Sequence, residues 1–161
     1  MGEQAGANAS PLILLARSGH FDLLRAAATR VAVPAPVVSE IERRGEADAT
    51  VRALREADWI EVVPAPSIPP PIAAWNLGPG ESAVLAYAAT HPGSVAILDD
   101  RPARRCAELL GIPVRGTLAV VVAAKRKGAI SHVRPVVEGL RRAGMYVSQQ
   151  IVDEVLAVVG E

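Results

Sequence analysis

The chain has 161 residues, half of them hydrophobic and only 3% aromatic, the profile of one domain with a sizeable aliphatic core. Seventeen basic and 17 acidic side chains give a formal net charge of zero, which argues against a passive nucleic-acid coat and its strongly basic field. So few aromatics also exclude a sheet surface built for base stacking, and the lone cysteine, Cys106, excludes an intrachain disulfide or a thiolate metal site.

Lysine occurs only at Lys125 and Lys127; the other basic residues are Arg, which suits bidentate phosphate contacts. The opening "MGEQAGANAS" lacks a basic region followed by an apolar one, so it does not read as a signal peptide. No apolar run approaches the length of a membrane span, and a cytoplasmic protein is the expectation.

In chain order, "SPLILLARSG" reads as a helix capped by Ser10 with Pro11 at its first position. A second short helix follows from about Phe21 to Ala28. "RVAVP" is a buried strand, "APVVSEIERRG" a helix stopped at Gly45, "EADATVRALREAD" a helix, and "WIEVVP" a strand. Residues 64–79, rich in proline, read as an extended connector without regular structure. "GESAVLAYAATHPG" is apolar on most sides and so predicts a buried helix. "SVAIL" is a strand, "RPARRCAELLG" an amphipathic helix, "IPVRG" a short strand, and "TLAVVVAAKRKG" a helix capped by Thr117. Two further helices, each opened by a serine, fill 131–158. Strands alternate with helices and no two-residue hairpin turn joins them. This pattern predicts a single α/β domain over 1–161, with a central parallel sheet of about four to five strands flanked by helices.

In such a sheet the strand C-terminal ends gather along one edge, where ligands bind. "VAIL" ends in Asp99 and Asp100, an adjacent like-charged pair that needs a reason. One of them is placed to cap the helix opened by Pro102, which explains one carboxylate and not two. Glu81 lies in the first turn of the buried helix, beside Gly78 and Gly80, which permit close approach of backbone or ligand. In "VVSEIERR", Glu40 and Glu42 flank the apolar stripe about equally, and periodicity does not choose between them. Asn8 precedes the first helix, after "EQAGA", a poor strand by composition. Carboxylates without thiolates or spaced histidines suit a hard ion, Mg²⁺ or Mn²⁺, of the kind that assists phosphodiester cleavage.

The runs "NASPLILLARSG", "VAVPAPVVSEI", "LGPGESAVLAYA" and "AILDDRPARRCAELLGIPVRGTLAVVVAAKRKGAI", with the closing "GLRRAGMYVSQQIVDEVL", resemble the PIN-domain superfamily. Within it, the similarity is to a prokaryotic branch related to the VapC-type toxin ribonucleases. It covers nearly the whole chain and is most specific from Leu77 to Ile130. The resemblance implies a metal-dependent endoribonuclease of a toxin–antitoxin pair, using Mg²⁺ or Mn²⁺. The family's acidic positions fall on Asn8, Glu40, Glu81 and the Asp99–Asp100 pair, with Asn8 where proven nucleases carry Asp. In that reading Glu40, Glu81, Asp99 and Asp100 would hold metal, and Asn8 would hydrogen-bond a metal-bound water. Arg101, Arg104 and Arg105 are candidates for phosphate contacts, and Ser10 and Thr117 for hydroxyls that orient water or a ligand. Implied partners are RNA, a cognate antitoxin and a second copy of the chain in a homodimer, with no membrane.

Two rivals remain at this level. One keeps the fold as a weak or inactive PIN-like module that binds RNA or protein, since Asn8 supplies no charge. The other is a phosphoryl-accepting receiver domain. There the acidic pair follows the first strand, whereas here the pair comes late and Asn8 stands after the first.

Overall fold

The computed structural model describes residues 3–161. Its centre is a five-stranded parallel sheet in the order β3-β2-β1-β4-β5, built from β1 (Gln4–Ala7), β2 (Arg30–Pro34), β3 (Ile60–Val63), β4 (Val95–Ile97) and β5 (Val114–Arg115). The helices are α1 (Ala9–Arg17), α2 (Leu24–Ala27), α3 (Ala35–Glu42), α4 (Ala49–Glu56), α5 (Pro70–Ala73), α6 (Pro79–Thr90), α7 (Arg101–Leu109), α8 (Thr117–Arg126), α9 (Arg134–Arg142) and α10 (Gln149–Val158). The expected α/β class, the parallel sheet and its flanking helices are all present.

The unpromising "QAGA" is the central strand. Its partners are β2 on one side and β4 on the other, so backbone pairing on both edges replaces the missing β propensity. The small residues have a packing reason. A Cβ at Gly6 would lie 3.1 Å from Tyr87 Cδ1 and 3.6 Å from Val84 Cγ1, both on α6. Gly6 therefore sets how closely α6 approaches the sheet. Helix α6 is buried from Ser82 through Ala88, as its all-round apolar sequence requires.

Four local expectations are corrected. Helix α1 begins at Ala9 with Asn8 at the N-cap, not Ser10, because β1 runs straight into the helix: Asn8 N–H still donates to Ile97 O at 3.0 Å. The connector 64–79 contains one helical turn, α5, where Pro70 and Pro71 occupy first-turn positions that need no N–H donor and Ile72 is buried. Helix α8 is capped by Gly116, and Thr117 is its first residue. Helix α9 starts at Arg134 rather than near Ser131.

No side chain of the preceding turn caps α9. The Glu161 carboxylate accepts from Val133 N–H at 2.7 Å and Arg134 N–H at 3.3 Å instead. This joins the end of the described chain, just after α10, to the start of α9. The Val133 hydrogen bond, aided by Arg134 and by the nearby charges of Lys125 and His132, holds the Glu161 carboxyl below the usual carboxylate range. A lowered folded-state pKa stabilises above the unfolded value and loses that contribution as pH falls through the folded value. The stability of the wild type is therefore expected to fall more steeply than that of Glu161→Gln below about pH 4, read by thermal melts across pH. Parallel profiles would refute the clasp.

A second expectation concerns the α6 contact. Gly6→Val should destabilise by about 1–3 kcal/mol through overpacking against Tyr87 and Val84, and Gly6→Ala by less. Urea titration of both variants measures the difference; an unchanged Gly6→Val would mean that α6 has room to move.

Candidate functional site

Strand order reverses between β1 and β4: β2 and β3 lie on one side, β5 on the other. Asn8 leaves the end of β1 and Asp99 follows the end of β4, so both flank the switch point where open α/β sheets bind ligands.

Asn8 is 3% exposed and has the extended N-cap backbone of α1, yet its side chain makes no capping hydrogen bond. Instead Nδ2 donates to Glu81 Oε1 at 3.1 Å. That orientation is the one chemistry requires, because the amide oxygen would repel a carboxylate. It leaves Oδ1 buried without a hydrogen-bond partner. Such an atom is costly to desolvate unless something meets it.

Gly80, the second residue of α6, makes room for this arrangement. A Cβ there would stand 2.9 Å from Asn8 Oδ1 and 3.3 Å from Glu40 Oε2. Glu40 on α3, Asn8 after β1 and Glu81 on α6 are thus drawn together although they are far apart in sequence. Gly78, the N-cap of α6, leaves space for the Glu81 carboxylate itself. Glu40 is exposed and Glu81 is half-buried. Beside Glu40 runs a groove of about 320 Å³ that includes Ser10, Arg17 and Arg44.

The two adjacent aspartates diverge. Asp99 Oδ1 accepts from Thr117 N–H at 2.8 Å and its Oδ2 from Thr117 Oγ1–H at 2.6 Å. Thr117 is fully buried, so it acts as a fixed two-point clamp. Asp100 is exposed and caps α7, accepting from Ala103 N–H at 3.0 Å. The like charges are relieved by different helices.

Asp99 lines a cleft of about 560 Å³ with Ser10, Arg101, Arg104, Gly116 and Tyr146 among its walls. Arg104 Nη1 would be 2.6 Å from a Cβ at Gly116, so the glycine after β5 admits the guanidinium. Arg105 is outside this cleft; it is 67% exposed and stands 3.9 Å from Glu108 on the outer face of α7. Sequence reasoning missed Gly116 and Tyr146. The former carried a signal, a glycine between a short strand and a helix; the latter carried none beyond being an isolated aromatic.

The oxygen donors Asn8 Oδ1, Glu40, Glu81 and Asp99 suit a hard divalent ion in kind, and the unpartnered Asn8 Oδ1 fits a site that a cation completes. Among the described residues, however, no three His, Cys, Asp or Glu side chains converge closely enough to form a ready-made metal site. Asp99 is turned to Thr117 rather than to the Gly80 cluster.

The DUF3368 family model, described as a PIN domain, matches residues 6–161. The chain belongs to the PIN-domain family. No curated protein matches it significantly. PIN domains are generally nucleases and usually use divalent metals, so this PIN domain has a nuclease-type fold, with RNA the substrate class the family suggests. No helix among the described residues is long and apolar enough to cross a membrane.

The capping assignment is testable. Asp100→Ala should lower stability by about 0.5–2 kcal/mol, while Asp100→Asn, which keeps an acceptor oxygen, should stay close to wild type. Urea denaturation followed by circular dichroism reads both. An Asp100→Ala variant as stable as wild type would remove the cap as the reason for this carboxylate.

Proposed function

We propose that this PIN domain is a metal-dependent endoribonuclease, a VapC-like toxin of a toxin–antitoxin pair, using Mg²⁺ or Mn²⁺. The observation that carries the reading is the buried, unpartnered Asn8 Oδ1 facing the Gly80 gap beside Glu40 and Glu81. An N-cap asparagine that leaves its helix uncapped and turns its amide to the Glu81 carboxylate serves a ligand rather than the fold.

Glu40, Glu81 and Asp99 would hold the ion, with Asn8 Oδ1 as a neutral oxygen beside them. When bound, the ion supplies Lewis-acid activation of water and stabilises charge at the scissile phosphate. The Asn8 amide orients Glu81 through Nδ2, and Thr117 fixes Asp99. Arg101 and Arg104, in the cleft with Asp99, are the side chains to hold phosphates of the RNA. Asp100 works as the α7 cap, and Arg105 as a solvated charge paired with Glu108. Ser10, exposed at the rim of both grooves, is left to orient solvent or ligand.

The toxin assignment rests on the resemblance of Leu77–Ile130 to that branch. Partners in this reading are a cognate antitoxin and a second copy of the chain. A groove of about 630 Å³ that combines Leu118, Val122, Val155 and Val158 with the charged Arg115, Arg126, Lys127 and Glu154 is the candidate face for such a partner.

A second reading, an RNA- or protein-binding PIN-like module that does not cut, has its own support. Asn8 brings no charge, and both Asp99 oxygens are already engaged by Thr117.

The deciding experiment is cleavage of a mixed RNA pool by the purified protein with Mn²⁺, beside Glu81→Gln and an EDTA control. Cleavage by the wild type is expected, with loss of at least a hundredfold in the variant and in EDTA. Metal binding without any cleavage would establish the binding module instead.

A further inference from the structure

Tyr146, between α9 and α10, is fully solvent-exposed, with a relative accessibility of 101%. The other four aromatics are buried or half-buried: Phe21 packs on Trp59 with ring centroids 5.4 Å apart, Tyr87 stacks on His91, and Trp75 packs against the core. An aromatic ring left wholly in water does nothing for the fold. It lines the same cleft as Asp99, Arg101 and Arg104.

The loop that carries it is braced on both sides. Gly144, at φ +111°, turns the chain after α9, and Met145 N–H donates to Leu140 O at 2.9 Å. The Arg141 guanidinium donates to Val147 O at 2.9 Å and to Gln149 Oε1 at 3.0 Å, and Ser148 caps α10. The ring is therefore presented from a fixed backbone, which limits the ordering entropy lost when something stacks on it. Arg101 and Arg104 have no carboxylate partner within 4 Å among the described residues. A free aromatic face in the same cleft as two guanidinium groups that form no salt bridge among the described residues matches a nucleotide: phosphate to arginine, base to ring.

We propose that Tyr146 is the stacking platform for an unpaired base of the RNA, next to the phosphates held by Arg101 and Arg104. This makes the substrate single-stranded at the cleft, because a duplex base has no free face to offer. The inference rests on RNA being the substrate.

The test is fluorescence-anisotropy binding of a labelled 12-nucleotide single-stranded RNA of mixed sequence, and of a duplex of the same length. EDTA is present, so that binding is read without cleavage. Tyr146→Ala should weaken single-strand binding about tenfold, Tyr146→Phe should bind like wild type, and duplex binding should be the same for all three. Both variants should melt at the wild-type temperature, since the side chain is fully exposed. Wild-type protein that binds and cleaves RNA, with Tyr146→Ala equal to it, overturns the stacking role and leaves the nuclease standing. Wild-type protein that neither binds nor cleaves single-stranded RNA overturns both. A wild-type dimer that Tyr146→Ala splits into monomers in analytical ultracentrifugation, with RNA binding intact, assigns the ring to a contact between copies.

Discussion

The close approach of α6 to the sheet is the constraint on which the rest of this structure depends. Helix α6 is apolar on all sides and must be covered on all sides. It contacts β1, β2, β4, α3, α5 and α7. That degree of enclosure is possible only if the sheet face beneath it carries little bulk, and Gly6, with Ala32 and Ala96 in register beside it, provides this. The same residues are poor strand formers. The sheet centre is thus stabilised by packing and two-sided pairing rather than by local preference. Because α6 lies so close, its first turn sits over the end of β1. Glu81 meets Asn8 there, and Gly80 leaves the gap that Glu40 also reaches. The site follows from the packing of one buried helix.

Charge is arranged with similar economy. The chain is neutral as a whole, yet Glu40 and Glu81 converge with Asn8 near the switch point, and Arg101 and Arg104 line the adjoining cleft. Asp99 and Asp100 coexist because each is stabilised by a different helix start: Asp99 by Thr117 at α8, and Asp100 by Ala103 within α7. A shared cation is not required to explain the pair. Asp99 is nevertheless the carboxylate of the two that opens on the cleft.

Much of the fold was legible. Short apolar runs mark most strands and period-3.6 patterns most helices, and strand–helix alternation without hairpin turns marks the parallel sheet. The errors cluster where tertiary contacts override local signals. Ser10 has the look of a cap, but the strand-to-helix junction falls at Asn8 because β4 holds Asn8 N–H. Thr117 has the look of a cap too, but its hydroxyl is drawn to Asp99 across the sheet edge. The proline-rich connector includes α5 because burial of Ile72 rewards a single turn.

The sequence by itself determined the fold class, the exclusion of a disulfide within these 161 residues and the set of oxygen-bearing side chains available to a site, since these depend on residue identity and local periodicity. Only the tertiary structure decided which of them meet. Glu40 and Glu42 are equivalent on their own helix, and only the position of α6 brings Glu40 beside Gly80. Asn8 reads as a cap until Glu81, 73 residues away, takes its amide and leaves Oδ1 buried and alone. Tyr146 carries no motif, and its meaning comes from the cleft it borders. Such juxtapositions are set by long-range packing, and no local pattern in a chain records them.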